Sequence, residues 1–335
     1  MVSAMVNEVY ITDPGTRIIV RKGSVIIIGK DGNKQVLPPN TEEVIIATSR
    51  ASITTKAIGI LAMKGINLVL LNSFGDPVVT MLPPVINKTV MTRVKQYELF
   101  LNHELRLELA RRLIACKIEN QARLVRYFAK SRREPALNDI AYSISSMTTQ
   151  LISMETSKLN PEVIEGIEAQ AANKYWDVVA SLLPSQLGFH GRDPEGTDPV
   201  NLALNYGYGI LYSTMERYLI MAGLDPYLGV LHTIKSGKPS LVFDTVEVFR
   251  PVAVDKALII DADNIKLSII NGFLDYDSRK AVARLILNNL NRDYINPRTS
   301  RKSSLTEIMK HEAWYLASMI RDGNVKDYEC FTWVF

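Results

Sequence analysis

His232, Asp244 and Glu247, three side chains that can bind hard cations, fall in one short stretch of a chain with only four histidines. One imidazole with two or three carboxylates suits Mn²⁺ or Mg²⁺, whereas a zinc site more often includes thiolates or several histidines. The Asp244-Thr-Val-Glu247 spacing puts both carboxylates on one helical face, able to reach one ion. The same spacing is also a capping box, an Asp at a helix start with a Glu three residues on. His232 follows an apolar turn, where a histidine is more often packed and hydrogen-bonded than functional. A cation site here demands a further carboxylate from elsewhere, and Glu168 in GIEAQAANKYW is the best candidate.

Ile164, Ile167, Ala171, Tyr175, Val178 and Leu182 recur at helical spacing, and Glu168 lies on their side of the helix. A carboxylate facing a core is costly unless it is paired or bound to a cation. An ion pair with an arginine at the edge of the stripe accounts for Glu168 as well as a metal does. Tyr212 offers a hydroxyl from mid-helix, and a buried tyrosine satisfied by the core is the equally simple reading.

The elements that must position these residues are marked by their caps. Pro161 and Glu162 open the Glu168 helix. Asp198-Pro199 opens the next, which runs through Leu202, Tyr206, Ile210 and Met215 to Gly223, with Gly207 and Gly209 allowing another backbone close. Asp225-Pro226 repeats the signal, so a short helix Tyr227 to Leu231 is expected to deliver His232. Lys235 to Pro239 reads as a loop and Ser240 to Phe243 as strand-like. The polar loop Ser185 to Pro199, with His190 and Arg192, reads as a mobile connector. From Val252 to Ala317 the pattern is helical, broken at Asn271-Gly272 and Asn296-Pro297.

Residues 7 to 82 are different in texture: short β-branched runs at Glu8, Arg17, Ser24, Val44, Asn67 and Val78, separated by turn chemistry, with one helix from Thr54 to Met63. This unit holds no histidine, no cysteine and no glycine-rich phosphate loop, so a structural or dimerising role is expected. Pro83-Pro84 ends it. Residues 88 to 133 then carry twelve lysines and arginines against four glutamates, net +8 in a chain of net +4. Local basicity of that kind suits a phosphate backbone, although a solvated helix face with ordinary ion pairs gives the same pattern. Arg93, Arg111, Arg112, Arg123 and Arg126, with Lys235 and Lys238 near the candidate metal ligands, are the candidate DNA contacts.

The 335 residues, 47% hydrophobic and 22% charged, are ordinary globular composition. Cys116 and Cys330 cannot make a disulfide framework or a four-cysteine zinc site, and a reducing cytoplasm fits. Glu8 and Asp13 interrupt any signal-like start, and Lys64, Gly65 and Asn67 break the greasiest stretch, which argues against a membrane role.

The block Asn205-Tyr-Gly-Tyr, Gly223-Leu-Asp-Pro-Tyr-Leu-Gly-Val-Leu-His232 and Ser240-Leu-Val-Phe-Asp-Thr-Val-Glu-Val-Phe-Arg-Pro resembles the CRISPR-associated integrase family, the universal endonuclease of spacer acquisition. Arg93-Val-Lys-Gln96, the Glu168 helix and Asn271-Gly-Phe-Leu extend the likeness over nearly the whole chain. The resemblance implies that Glu168, His232 and Glu247 hold a divalent ion, with Asp244 as neighbouring acid and Tyr212 near the site. Ala169 stands where members often have glycine, and Lys238 where arginine is common. It further implies double-stranded and branched DNA as substrate, a homodimer and a small adaptation partner protein.

The expected fold is α+β: a β-rich dimerisation domain over 1–82, a linker over 83–92 and a mainly α-helical catalytic domain over 93–335. The expected activity is Mg²⁺- or Mn²⁺-dependent cutting and joining of DNA. Two rivals remain open from the residues: a general metal-dependent nuclease, and a non-catalytic nucleic-acid scaffold in which Glu168 is an ion-pair residue and Asp244/Glu247 a cap.

Overall fold

Alternating apolar runs with left-handed turns between them build the first of two units. The computed structural model describes residues 2–5, 8–39, 41–72, 75, 77–81, 90–231 and 237–335, and the chain divides into residues 1–87 and 88–335. In the first unit the strands are β1 (Val2–Met5), β2 (Glu8–Ile11), β3 (Arg17–Arg21), β4 (Ser24–Ile28), β5 (Lys34–Val36), β6 (Glu43–Ile46), β7 (Ser52–Ile53), β8 (Asn67–Leu71) and β9 (Pro77–Met81). One helix, α1 (Thr55–Met63), lies between β7 and β8. The sheets run β1-β2-β6-β8-β9 and β5-β4-β3-β7.

β2, β6 and β8 pair in parallel, and β1 and β9 pair antiparallel at the two edges. Parallel strands need cover on their faces, so β2 and β6 are buried at every position. Lys22 and Gly23, at φ 48° and 76°, make the two-residue turn that joins β3 to β4 in register. Val9, Ile11, Ile18, Val25, Ile27, Val44, Ile46 and Leu68 meet Ala57 and Leu61 of α1 in one core. β1, β5 and β7 are additions to the expected strands; β5 is polar and β7 has two residues, too little pattern for periodicity to register.

The second unit is helical: α2 (Val90–Leu101), α3 (His103–Ser131), α4 (Ala136–Ser153), α5 (Pro161–Leu182), α6 (Pro199–Ala222), α7 (Ser240–Val246), α8 (Lys256–Asp261), α9 (Tyr276–Leu290) and α10 (Leu305–Arg321). α2 begins inside the stretch read as a linker, of which 83–89 lie outside the described residues. The two expected breaks are hairpins, β10 (Ile269–Ile270) with β11 (Phe273–Leu274), and β12 (Asp293–Ile295) with β13 (Lys302–Ser304). Asn271 and Gly272, both at positive φ, form the first hairpin's turn.

α3 is the spine. It packs against α4, α5, α7 and the π-helical turn Pro251–Asp255. The chain end lies along it: Asn120 donates to the carbonyls of Val248 (2.8 Å) and Phe331 (3.0 Å) and accepts from the Trp333 amide (2.8 Å). Arg123 donates to the Trp333 carbonyl at 2.8 Å. Cys116 of α3 and Cys330 are joined in a disulfide across 214 residues of sequence. Two cysteines so far apart gave no pairing signal. Their union removes the support that cysteine usage lent to a reducing compartment, since such bridges persist mainly where conditions are oxidising, although some intracellular proteins of hyperthermophiles also carry them. Among the described residues no helix is long and apolar enough to cross a membrane.

Two local readings fail. Residues 226–231 are turn and bend rather than helix, because Asp225 caps only the Tyr227 amide (2.9 Å) and no helix follows. Ser240–Val246 is helix rather than strand: its apolar run is buried among the helices of the second unit, so tertiary packing overrides β-propensity. At Gly207 the close neighbours are side chains, with an added Cβ lying 2.7 Å from Val254 and 3.3 Å from Ile286, so the backbone approach expected there is a side-chain one.

Candidate metal centre

Glu168 and Glu247 come to one point through their helices. Asn160 caps α5 by accepting from the Val163 amide at 2.8 Å, and all six residues of the expected stripe are buried. That seating leaves Glu168 at the stripe's inner edge. α7 is entered after Pro239, so Asp244 is mid-helix and Glu247 is the residue after the last turn. The Asp244/Glu247 pair is therefore no capping box.

The two glutamates converge on the ammonium of Lys117, from α3. Glu168 Oε1 accepts a short ion-paired hydrogen bond from Nζ, and Glu247 Oε2 lies 2.6 Å from the same nitrogen. The Lys117 and Glu247 side chains are 12% and 3% exposed, and Glu168 is 21% exposed, so the cluster is sealed on the Glu247 side and reached from the Glu168 side. Burial works to discharge the lysine, but Glu247 and then Glu168 outweigh it and hold its pKa above the ordinary value. Glu168 is thus an ion-pair residue, with lysine where an arginine was expected.

The other oxygen of Glu247 is held by Arg250, whose Nη1 pairs with Oε1 while its Nη2 donates to the Tyr212 hydroxyl. The Arg250 guanidinium also lies over the Tyr208 ring, 4.6 Å from its centroid. Burial pushes the Tyr212 hydroxyl up against the opposing pull of Arg250. Tyr212 is half-buried and satisfied, and it reaches the cluster through Arg250.

Asp244 has a different task. Its Oδ2 accepts from the backbone amides of Val230 (2.5 Å) and Leu231 (3.2 Å). Gly229 passes beneath it so closely that an added Cβ would lie 2.6 Å from Ser240 and 2.8 Å from Asp244 Oδ2. From α2, Gln96 holds the start of the same segment, donating to the Asp225 carbonyl (2.9 Å) and accepting from the Asp225 amide (2.7 Å). The chain leading to His232 is fastened at both ends. His232 and Lys235 themselves lie outside the described residues.

Among the described residues no group of three or more His, Cys, Asp or Glu side chains is placed to hold an ion. The donor set nonetheless suits one: two carboxylates, supplied by different helices, already share a single cationic centre, the lysine ammonium standing in for a metal ion. Hard oxygen donors of this kind match Mg²⁺ or Mn²⁺.

Three of the five arginines expected at DNA, Arg111, Arg112 and Arg123, are tied into the fold. Arg111 is buried, paired with Glu108 and donating to the Met154 carbonyl at 2.6 Å. Arg112 pairs with the same glutamate at 2.8 Å, and Arg123 pairs with Glu119 at 2.7 Å. These residues build the α3 spine and its tail contacts. Arg93 and Arg126 are half-buried, and Lys130, Arg133 and Lys238 are exposed. Arg192 ties its loop to α6 through Asn201 (2.9 Å) and Asn205 (2.6 Å), so the supposed mobile connector is an anchored one.

Lys117, Arg250 and Gln96 escaped sequence reading. For Lys117 a signal existed: it lies on the face of α3 shared by the buried Leu113, Ile114, Ile118 and Gln121, and a charge there demands a partner just as Glu168 did.

The sequence profile of the family described as CRISPR associated protein Cas1 matches residues 9–286. A CRISPR-associated endonuclease Cas1 of Hyperthermus butylicus is 40% identical over 331 residues, 98% of each chain. Among solved structures, a casposase bound to integration product superposes with a TM-score of 0.81 at 22% identity, covering 97% of this chain and 94% of that one. A Cas6-RT-Cas1–Cas2 complex gives 0.75 at 15% identity, covering all of this chain and 37% of that one. The structural likenesses bear on the fold, which is the α+β arrangement of a β-rich front and a helical body. By profile and by full-length identity, the chain belongs to the Cas1 family of CRISPR-associated proteins.

Proposed function

We propose that this chain is a divalent-metal-dependent DNA endonuclease and integrase, which inserts short foreign DNA fragments into a CRISPR array by transesterification as part of antiviral defence. The observation that carries the site assignment is the convergence of Glu168 and Glu247 on one cation. Glu168, Glu247 and His232 would hold Mg²⁺ or Mn²⁺, which when bound supplies Lewis-acid polarisation of the target phosphate. Arg250 fixes one oxygen of Glu247 and so aims the other at the shared point. Tyr212 locks Arg250 in turn. Asp244 and Gln96 act on the backbone, holding it at Val230 and at Asp225.

The incoming fragment brings its own nucleophile, the 3′-hydroxyl, so the protein needs no nucleophilic side chain. Both cysteines are joined to each other and offer none. Arg93, Arg126, Lys235 and Lys238 are the proposed phosphate contacts, on double-stranded and branched DNA. The β-rich unit, residues 1–82, would dimerise. A small partner of the Cas2 kind is supported by the complex with which this chain shares its fold. The setting is the cytoplasm, where the array resides.

A strand-transfer assay with Mn²⁺ on branched DNA tests the reading. Wild-type protein is expected to join a fragment's 3′ end to the target, and Glu168→Gln to lose both joining and cleavage. Cleavage without joining in the wild type would reduce the protein to a plain nuclease, and full activity in Glu168→Gln would refute the site.

A further inference from the structure

The metal reading leaves Lys117 without a part. Two carboxylates brought to one point repel each other strongly away from bulk water. That repulsion is cancelled by the Lys117 ammonium, which bonds Glu168 Oε1 and lies 2.6 Å from Glu247 Oε2. A divalent ion drawn to the same two oxygens meets a position already filled by positive charge. Ammonium and metal exclude one another there, both sterically and by like-charge repulsion.

The two cations of the cluster differ in freedom. Arg250 is locked by Glu247, the Tyr212 hydroxyl and the face of Tyr208. Lys117 ends a flexible four-carbon stem, and both of its ion-pair partners are the expected metal ligands. Glu168, the more exposed of the two, opens a way out for its ammonium. We infer that Lys117 is a resident counter-ion, which keeps Glu168 and Glu247 together in the metal-free protein and is displaced when the divalent ion binds. This rests on Glu168 and Glu247 being metal ligands.

The lysine therefore sets the metal affinity. It preserves the geometry of the carboxylate pair and makes the incoming ion compete for it. Lys117→Met, which keeps the stem and removes the charge, is expected to bind Mn²⁺ about tenfold more tightly by titration calorimetry, equivalent to about 1.4 kcal/mol. The same variant without metal is expected to melt below the wild type, and saturating Mn²⁺ to restore it. A second measurement needs no variant fold. In ¹⁵N-lysine-labelled wild-type protein, the ion-paired Lys117 ammonium signal is expected to disappear or move on saturation with Mg²⁺.

Equal or weaker Mn²⁺ binding by Lys117→Met, or an unmoved Lys117 signal at Mg²⁺ saturation, overturns the inference. Glu168→Gln separates the two layers. If it binds Mn²⁺ like the wild type, the metal-site reading itself has failed. If it loses binding while Lys117→Met gains none, only the counter-ion role has failed.

Discussion

Glu168 and Glu247 meet a full positive charge, whereas Asp255, buried in the same helical unit, is met by neutral hydroxyls. Asp255 ends the π-helical turn and accepts from Tyr175 at 2.7 Å and Tyr208 at 2.6 Å. Burial pushes its carboxyl up to about 6, against the downward pull of the two hydroxyls, Arg250 and Arg192. Arg250 stands between the clusters, paired with Glu247 and lying over the ring of Tyr208. One isolated carboxylate can be satisfied by two O–H donors and is then closed to any ion. Two carboxylates sharing a point need a cation, and the cation they have is on a side chain that can leave. Burial and an acidic side chain are common to both places; convergence on one cation sets the proposed site apart.

The largest expected difference comes from neutralising one carboxylate in each cluster. Glu247→Gln should abolish metal-dependent cleavage and joining, a loss of about a thousandfold or more, as when a group acting in the transition state is removed. It also strands Arg250 and Lys117 with one anion fewer, so unfolding should become easier by about 3 kcal/mol. Asp255→Asn should leave Mn²⁺ affinity unchanged. If calorimetry shows instead that Asp255→Asn weakens Mn²⁺ binding as Glu247→Gln does, the two clusters are one site and the comparison fails.

Stability against pH gives the next effect. Because Asp255 titrates at about 6 rather than 3.8, folding favours its protonated form. The advantage is fully present below 3.8, is lost as pH rises towards 6 and is gone above that. At about 1.4 kcal/mol per pKa unit, denaturant titrations should show wild type losing up to about 3 kcal/mol relative to Asp255→Asn over that window. Parallel pH profiles for the two proteins would contradict it.

How much of this was legible depended on whether the signal was local. α5 and α6 begin at Asn160-Pro161 and Asp198-Pro199 because a cap and a first-turn proline act within a few residues, and both starts were readable. Glu168 was readable because its neighbours at helical spacing are apolar. The Tyr227–Leu231 helix and the Ser240–Phe243 strand were misread because the deciding forces, Gln96 from α2 and Asp244 on the Val230 and Leu231 amides, come from distant elements. The destination of Lys117, the pairing of Cys116 with Cys330 and the inward turn of Arg111 are likewise properties of packing. A charge count over residues 88–133 could not separate cations that build α3 from cations open to solvent.

Tyr212→Phe should have a smaller effect. It removes one acceptor from Arg250, and a loss of about 1 kcal/mol in stability is expected, with activity lowered less than by Glu247→Gln. Full loss of Mn²⁺ binding would instead make Tyr212 part of the cation site.

The smallest effects separate internal from external charge. Arg126→Ala should weaken DNA binding and reduce the slope of log affinity against log salt by about 0.9 for one lost phosphate contact. Arg111→Ala should destabilise the fold with that slope unchanged. A lower slope in Arg111→Ala would return it to the DNA surface.

The central claim, that Glu168 and Glu247 share a divalent ion with His232, is tested most directly by anomalous diffraction from crystals soaked in Mn²⁺. The account predicts one strong peak within coordination distance of a carboxylate oxygen from each glutamate, with the Lys117 ammonium moved away. A peak bound elsewhere in active protein, or an undisturbed Lys117 between the two glutamates at saturating Mn²⁺, would contradict it.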